Sequence, residues 1–290
     1  MIIGVIGPGS IGMRHAKNLL AMGHVVLGYD IAEHPIGDFG IEWIPTTEGV
    51  LEKSDAVVIA TPSDQHTIDM YCCFQNKPTF VEKPIGVSQQ CVLDIEAMLK
   101  HGNKTIMVGN NMRYHPVVKL AKERVDRMGP PSQSWFRILQ KNTKYTDPVI
   151  LNWGAHEVDL ALYLVDKNLQ FDAGDVTQDS AVFSLKSDRH SVGVHLDYLA
   201  EPWVRDFALH WPDTSIYADV QNFKVTILKT GDREIMSREV IAVEGSHDET
   251  YKAEMEEFIR RVEGHSTDGI GATGEDGLRC LKLLLEAQKS

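Results

Sequence analysis

From Met1 to about residue 110, short apolar runs alternate with segments whose apolar positions recur at helical spacing. The runs Ile2–Ile6, His24–Tyr29, Ala56–Ala60, Thr79–Glu82 and Thr105–Gly109 are rich in Val and Ile and predict buried strands. Between them, Ile11–Met22, Asp64–Gln75 and Ser88–Lys100 predict helices of about three turns, each opening near a Ser or Asp suited to an N-cap. Strands alternating with helices in this way predict βαβ units on a parallel sheet, wound right-handed, with ligands at the carboxyl ends of its strands.

Beyond Pro130-Pro131 the period changes to two, in Ser134–Gln140, Ala181–Leu185, Val192–Tyr198, Arg205–His210 and Lys224–Leu228. In Val192–Tyr198 one face is apolar and the other mixed, the pattern of an antiparallel sheet covered on one side. A helical stretch from Trp153 to Val165 interrupts, and helices near Glu249–Val262 and Glu275–Gln288 close the chain. The fold class is therefore α/β followed by α+β. The expected domains are 1–118 and 119–272, with the helix at about 273–290 free to pack back on the first.

Composition narrows the function classes. The 290 residues carry 29 Lys plus Arg against 41 Asp plus Glu, a net charge of −12 without any basic run. That excess opposes binding to nucleic acid or to an anionic membrane surface. No apolar stretch approaches the ~20 residues needed to cross a bilayer, and no charged leader precedes Ile2, so a cytoplasmic protein is expected. Cys72, Cys73, Cys91 and Cys280 lack metal-ligand spacing and read as free thiols, so no metal is expected.

Gly7-Pro8-Gly9-Ser10-Ile11-Gly12 follows the first strand and opens the first helix. The first glycine of G-x-G-x-x-G permits the tight turn, the second lets a pyrophosphate approach the backbone, and the third lets helix and strand pack closely. Free N–H groups at the start of that helix then meet the phosphate charge. Asp30 ends the next strand, where a carboxylate accepts from a ribose diol and repels a 2′-phosphate, favouring NAD over NADP. The competing reading of Asp30 is a turn aspartate, because Ala32-Glu33-His34-Pro35 is loop-like.

Further motifs follow in order. Ala60-Thr61-Pro62-Ser63-Asp64-Gln65-His66 precedes Glu82-Lys83-Pro84 at a strand end. Val108 to Pro116 and then Gly154-Ala155-His156-Glu157-Val158-Asp159 come next, with Gly274-Glu275-Asp276-Gly277-Leu278 near the end. Together they resemble the Gfo/Idh/MocA family, the relatives of glucose-fructose oxidoreductase and inositol dehydrogenase, most clearly before residue 165. The resemblance implies a Rossmann domain followed by a domain with a largely antiparallel, open-faced sheet that mediates dimer or tetramer contacts. It implies an NAD(P)-dependent oxidoreductase acting on a secondary alcohol or ketone of a sugar, polyol or sugar nucleotide.

On that resemblance Lys83 polarises the reacting hydroxyl and His156 is the acid/base, its ordinary pKa of about 6.5 suiting proton transfer near neutrality. Pro84 holds Lys83 extended, and a cis bond between them is one option. Asp159, three residues on and so on the same helical face, binds a substrate hydroxyl or orients His156. The cofactor set is Gly7, Gly9, Ser10, Ile11, Gly12, Asp30, Thr61, Pro62, His66, Glu82, Lys83 and Asn111, although His66 also reads as packing beneath the cofactor loop and Thr61-Pro62 as a capping turn. The substrate set is Lys83, Asn152, His156, Asp159 and Arg113, with a structural salt bridge as the other reading of Arg113. Asn152 stands where the family often has Asp, and an amide cannot hold the negative charge that stabilises an imidazolium. Two other classes stay open: a non-catalytic dinucleotide-binding sensor, and a biliverdin-reductase-like reductase on the same scaffold.

Overall fold

The computed structural model describes residues 1–32, 40–73, 77–101, 105–142, 146–231, 234–266 and 269–290. The turn expected at Glu33-His34-Pro35, and Gln75 at the end of an expected helix, lie outside the described residues. The chain divides into two compact units, one of 1–111 with 248–281 and one of 112–247 with 282–290.

The first unit carries β1 (Ile2–Ile6), α1 (Ser10–Ala21), β2 (Val25–Tyr29), β3 (Ile41–Trp43), α2 (Thr47–Lys53), β4 (Ala56–Ile59), α3 (His66–Cys73), β5 (Thr79–Glu82), α4 (Gln89–His101) and β6 (Ile106–Gly109). Six strands lie parallel in the order β3-β2-β1-β4-β5-β6, and a short seventh, Ala272–Thr273, pairs antiparallel with β6. The strand order reverses between β1 and β4, the place where an open α/β sheet forms its ligand crevice. Strands β4, β5 and β6 are buried at every position, as befits a sheet covered on both faces. Each was visible in the sequence as an apolar run.

The segment from 248 to 272, expected in the second domain, clusters instead with the first. The reason is visible in its packing. Within α7 (His247–Val262), Phe258 meets Phe80 edge-on at 5.7 Å, Tyr251 lies under the Arg14 guanidinium, and Thr250 accepts from Asn111 Nδ2 at 2.9 Å. Thr273 and Asp276 then form a reciprocal capping box at the start of α8 (Gly274–Ala287). The unit boundary falls inside this helix, after Leu281.

In the second unit, α5 (Pro116–Met128) and α6 (Val149–Leu164) accompany a sheet of eight strands. These are β7 (Gln133–Leu139), β8 (Gln170–Val176), β9 (Ser180–Lys186), β10 (Ser191–Asp197), β11 (Val204–His210), β12 (Thr214–Asp219), β13 (Lys224–Gly231) and β14 (Glu234–Ala242). Their order is β14-β13-β12-β11-β7-β10-β9-β8, antiparallel except for the β7–β10 pair. Phe136, Phe183, Val194 and Phe207 fill the buried face, with Phe136 stacked on Phe207 at 5.5 Å. Trp135, Val182, His195 and Tyr217 line the other face and stay at least partly exposed. Helix α6 starts a turn earlier than Trp153, because Pro148 sets φ −52° at the cap and Val149 follows directly.

Candidate active site

The loop after β1 is built for close backbone approach. Gly7 has φ +76°, and a Cβ there would stand 2.7 Å from the Thr61 nitrogen in the loop after β4. A Cβ on Gly12 would stand 2.4 Å from the Gly7 carbonyl oxygen, so the third glycine is required by helix–strand packing. Around the missing Cβ of Gly9 there is nothing within 4 Å. Gly9 is also the N-cap of α1, without a side-chain cap and without an acidic residue in the first turn. The expected Ser cap is therefore absent, because Ser10 is already helical. The first N–H groups of α1 thus face an open cradle that suits an anion. These residues fit the pyrophosphate of a dinucleotide.

Asp30 follows β2 and accepts from the Ala32 N–H at 2.9 Å through Oδ1, an Asx turn. Thr61 is half-buried and donates to Asp69 Oδ2 at 2.6 Å, while Pro62 beside it is exposed. Burial pushes the Asp69 carboxyl above its ordinary value against the pull of that hydroxyl. His66 is buried, with Nδ1 2.8 Å from the Pro84 carbonyl oxygen and Nε2 2.8 Å from that of Thr61. The ring therefore bridges the loops after β4 and β5. The Lys83–Pro84 bond is cis. Lys83 is the one partly exposed residue from 79 to 86.

Glu82 points inward. Its Oε1 accepts from His15 Nε2 at 2.7 Å and its Oε2 from the Lys83 backbone N–H at 3.2 Å. Burial works against its charge, but His15, Lys83 and His66 together hold the carboxyl below its ordinary value. Glu254 of α7 adds a third buried donor group to His15 and Glu82. Asn111, expected at the cofactor, is buried and spends its amide on Thr250.

In the second unit, α6 presents Asn152, His156, Asp159 and Tyr163 along one stripe. Arg113 grips Asp159 with two hydrogen bonds, 2.9 Å from Nε and 2.6 Å from Nη2, and lies 4.8 Å over the Tyr163 ring. Both partners are buried, so the salt-bridge reading of Arg113 has direct geometric support, and Asp159 is committed to it. Asn152 donates to the Tyr198 hydroxyl at 2.8 Å, and Tyr198 stands edge-on to Trp153. From Val149 to Leu162 every residue is buried except His156.

Two residues that matter here, Glu157 and His115, carry no role in the sequence analysis. Glu157 is fully buried and pairs with Arg205 of β11 at 2.9 Å. Burial pushes its carboxyl up to about 7 although Arg205 pulls the other way. A charged residue in an otherwise apolar helix was a signal for a buried partner. His115 caps α5, accepting from Val117 N–H, and its ring packs on Phe223 at 4.6 Å. Burial, His247 and Arg205 push it down to about 3.

Residues 1–73 match the NAD-binding domain of the D-isomer specific 2-hydroxyacid dehydrogenases. The inositol 2-dehydrogenase of Rhizobium meliloti is 25% identical, over 99% of this chain and 96% of that protein. UDP-N-acetylglucosamine 3-dehydrogenase GnnA from Acidithiobacillus ferrooxidans superposes with a TM-score of 0.86 at 20% identity, covering 100% of this chain and 97% of its own. Both likenesses agree with the Gfo/Idh/MocA resemblance that the motifs carry. The Gfo/Idh/MocA fold accounts for both sheets, the mostly parallel one and the mostly antiparallel one. A further relative, the inositol 2-dehydrogenase of Rubrobacter xylanophilus, is 28% identical over 58% of this chain. That match spans 53%, about half, of the Rubrobacter protein.

Proposed function

We propose that this protein is an NAD-dependent dehydrogenase or reductase working on a secondary alcohol or ketone of a sugar, polyol or sugar nucleotide. The observation that carries the reading is the open cradle at Gly9, under the uncapped start of α1 and at the reversal of strand order. Ser10, Ile11 and Gly12 offer their N–H groups to the pyrophosphate, and Asp30 faces the ribose diol. When bound, the nicotinamide supplies the hydride acceptor or donor. Lys83 donates a hydrogen bond to the substrate oxygen and favours alkoxide character there. His156 takes the hydroxyl proton in oxidation and returns it in reduction. Thr61, Pro62 and His66 shape the loop beside the cofactor, while Glu82, Asn111, Arg113 and Asp159 act through the groups they bind.

Relatives named for inositol and a structural neighbour named for UDP-N-acetylglucosamine support a carbohydrate substrate. The mixed apolar face of the eight-stranded sheet, with Val182 53% and Tyr217 40% exposed, supports a homodimer or homotetramer formed through it. No helix among the described residues is long and apolar enough to cross a membrane. A cytoplasmic setting accords with this reading.

The test is a panel of polyols, sugars and sugar nucleotides with NAD and NADP, followed at 340 nm. The expected result is turnover of at least one hydroxylated ring compound, faster with NAD. Saturable NADH binding without turnover anywhere on the panel would favour the sensor reading.

A further inference from the structure

Two buried histidines from different helices bracket the Glu82-Lys83-Pro84 tripeptide. We infer that His15 and His66 are positioning residues that hold the backbone on either side of Lys83, so that its ammonium is presented to the substrate oxygen; the inference rests on the role of Lys83 proposed above.

On one side, His15 of α1 donates through Nε2 to Glu82 Oε1 at 2.7 Å, and Glu82 Oε2 accepts the Lys83 backbone N–H at 3.2 Å. A single carboxylate thus joins the helix that opens at the phosphate cradle to the root of the lysine. The His15 ring is fully buried, edge-on to Phe80 at 5.0 Å and to Tyr251 at 6.0 Å. Gly109 makes the room, since a Cβ there would stand 3.0 Å from Glu82 Cδ and Oε1. On the other side, His66 of α3 ties the Pro84 carbonyl oxygen to that of Thr61, 2.8 Å from each ring nitrogen.

The physical need is plain. A lysine stem has four rotatable carbons, and a fixed root reduces the volume its ammonium explores. A misplacement of about 1 Å at a reacting group can cost ~10²-fold in rate. A metal ion is the competing occupant, because donor atoms of His15, Glu82 and Glu254 lie within 4.8 Å of one another. At 2.7 Å, however, His15 Nε2 and Glu82 Oε1 are in direct hydrogen bond. Two donors each about 2.0–2.2 Å from one zinc ion stand farther apart than that in tetrahedral geometry.

The experiment compares full-length His15→Ala, His15→Gln, His66→Ala and Lys83→Ala with the unchanged chain. kcat and KM are measured on the best substrate of the panel, and NADH affinity by fluorescence. Peptide-resolved acetylation of Lys83 by limiting acetic anhydride reads its presentation without any substrate. His15→Ala and His66→Ala are expected to lower kcat by about 10- to 100-fold with KM changed little, and to alter Lys83 acetylation, NADH affinity staying near wild type in His15→Ala. His15→Gln keeps an N–H donor in reach of Glu82 and is expected to recover most of the loss.

Wild-type kcat and Lys83 labelling in both alanine variants, with only the melting temperature lowered, would reduce the histidines to structural residues and overturn the inference. A stoichiometric metal that co-purifies and is lost in His15→Gln would overturn it as well. Full turnover by Lys83→Ala would remove the underlying function instead. Should His15→Ala not fold, Glu82→Gln takes its place, with a kcat loss of the same order expected and an unchanged kcat contradicting the inference.

Discussion

Lys83 and His156 each stand out as the single partly exposed residue of a buried stretch, 79–86 for the lysine and 149–162 for the histidine. They are held differently. The lysine sits at a strand end, where its own N–H donates to Glu82 and the Pro84 carbonyl lies in hydrogen-bond reach of His66. The histidine sits mid-helix, where the backbone is already satisfied. Its helix carries two buried acids, Asp159 paired with Arg113 and Glu157 paired with Arg205. A strand end is fixed by local hydrogen bonds, whereas a buried helix that carries acids must import a cation for each from another element.

The contrast makes unequal demands on stability. Arg113→Ala leaves Asp159 buried without its partner and is expected to cost about 3–5 kcal/mol, read as a lower urea midpoint. Lys83→Ala, at a partly exposed position, is expected to stay within about 0.5 kcal/mol. Equal losses in the two variants would erase the distinction.

Next in size is the dependence on pH. Glu157 binds its proton more tightly folded, at about 7 against an ordinary 4.5, so its contribution to stability falls as pH rises through that window. His115 works in the opposite sense. Its folded value of about 3 lies below the ordinary 6.5, so stability is lost as pH falls from 6.5 towards 3. Glu157→Gln is expected to flatten the first slope and His115→Asn, which keeps a cap acceptor, the second. Unfolding free energies from pH 3.5 to 8 check this, and wild-type slopes in both variants would refute the assignment.

The smallest effect is expected at Asn152. Its amide donates to Tyr198, and a carboxylate there accepts from the same hydroxyl, so Asn152→Asp conserves the contact. A gain in kcat/KM of no more than about tenfold is expected, equivalent to ~1.4 kcal/mol. A loss would mean that the amide itself is required.

What was legible in the sequence follows the same division. Strands β1, β4, β5 and β6 are buried on both faces and stand out as apolar runs, and the glycine loop declares itself by spacing. Strands β8 and β14 are mostly exposed, so no alternation marks them. Helix α5 lies outside the expected elements, although Pro116 opens it and Val117, Val118, Ala121 and Val125 form its buried stripe. The candidate catalysts came from motif resemblance. The pairings around them did not, because Arg113 with Asp159, His15 with Glu82 and Glu157 with Arg205 lie 46, 67 and 48 positions apart. No local pattern records such a pairing.

The proposed function has Lys83 and His156 serve one reacting alcohol. A double-mutant cycle on kcat/KM with Lys83→Ala, His156→Ala and the pair tests it most directly. Each single change is expected to lower turnover by about 10²–10⁴-fold, with the double variant hardly worse than the poorer single one, as for groups that act as a unit. Losses that simply multiply, or a single variant that turns over normally, would contradict it.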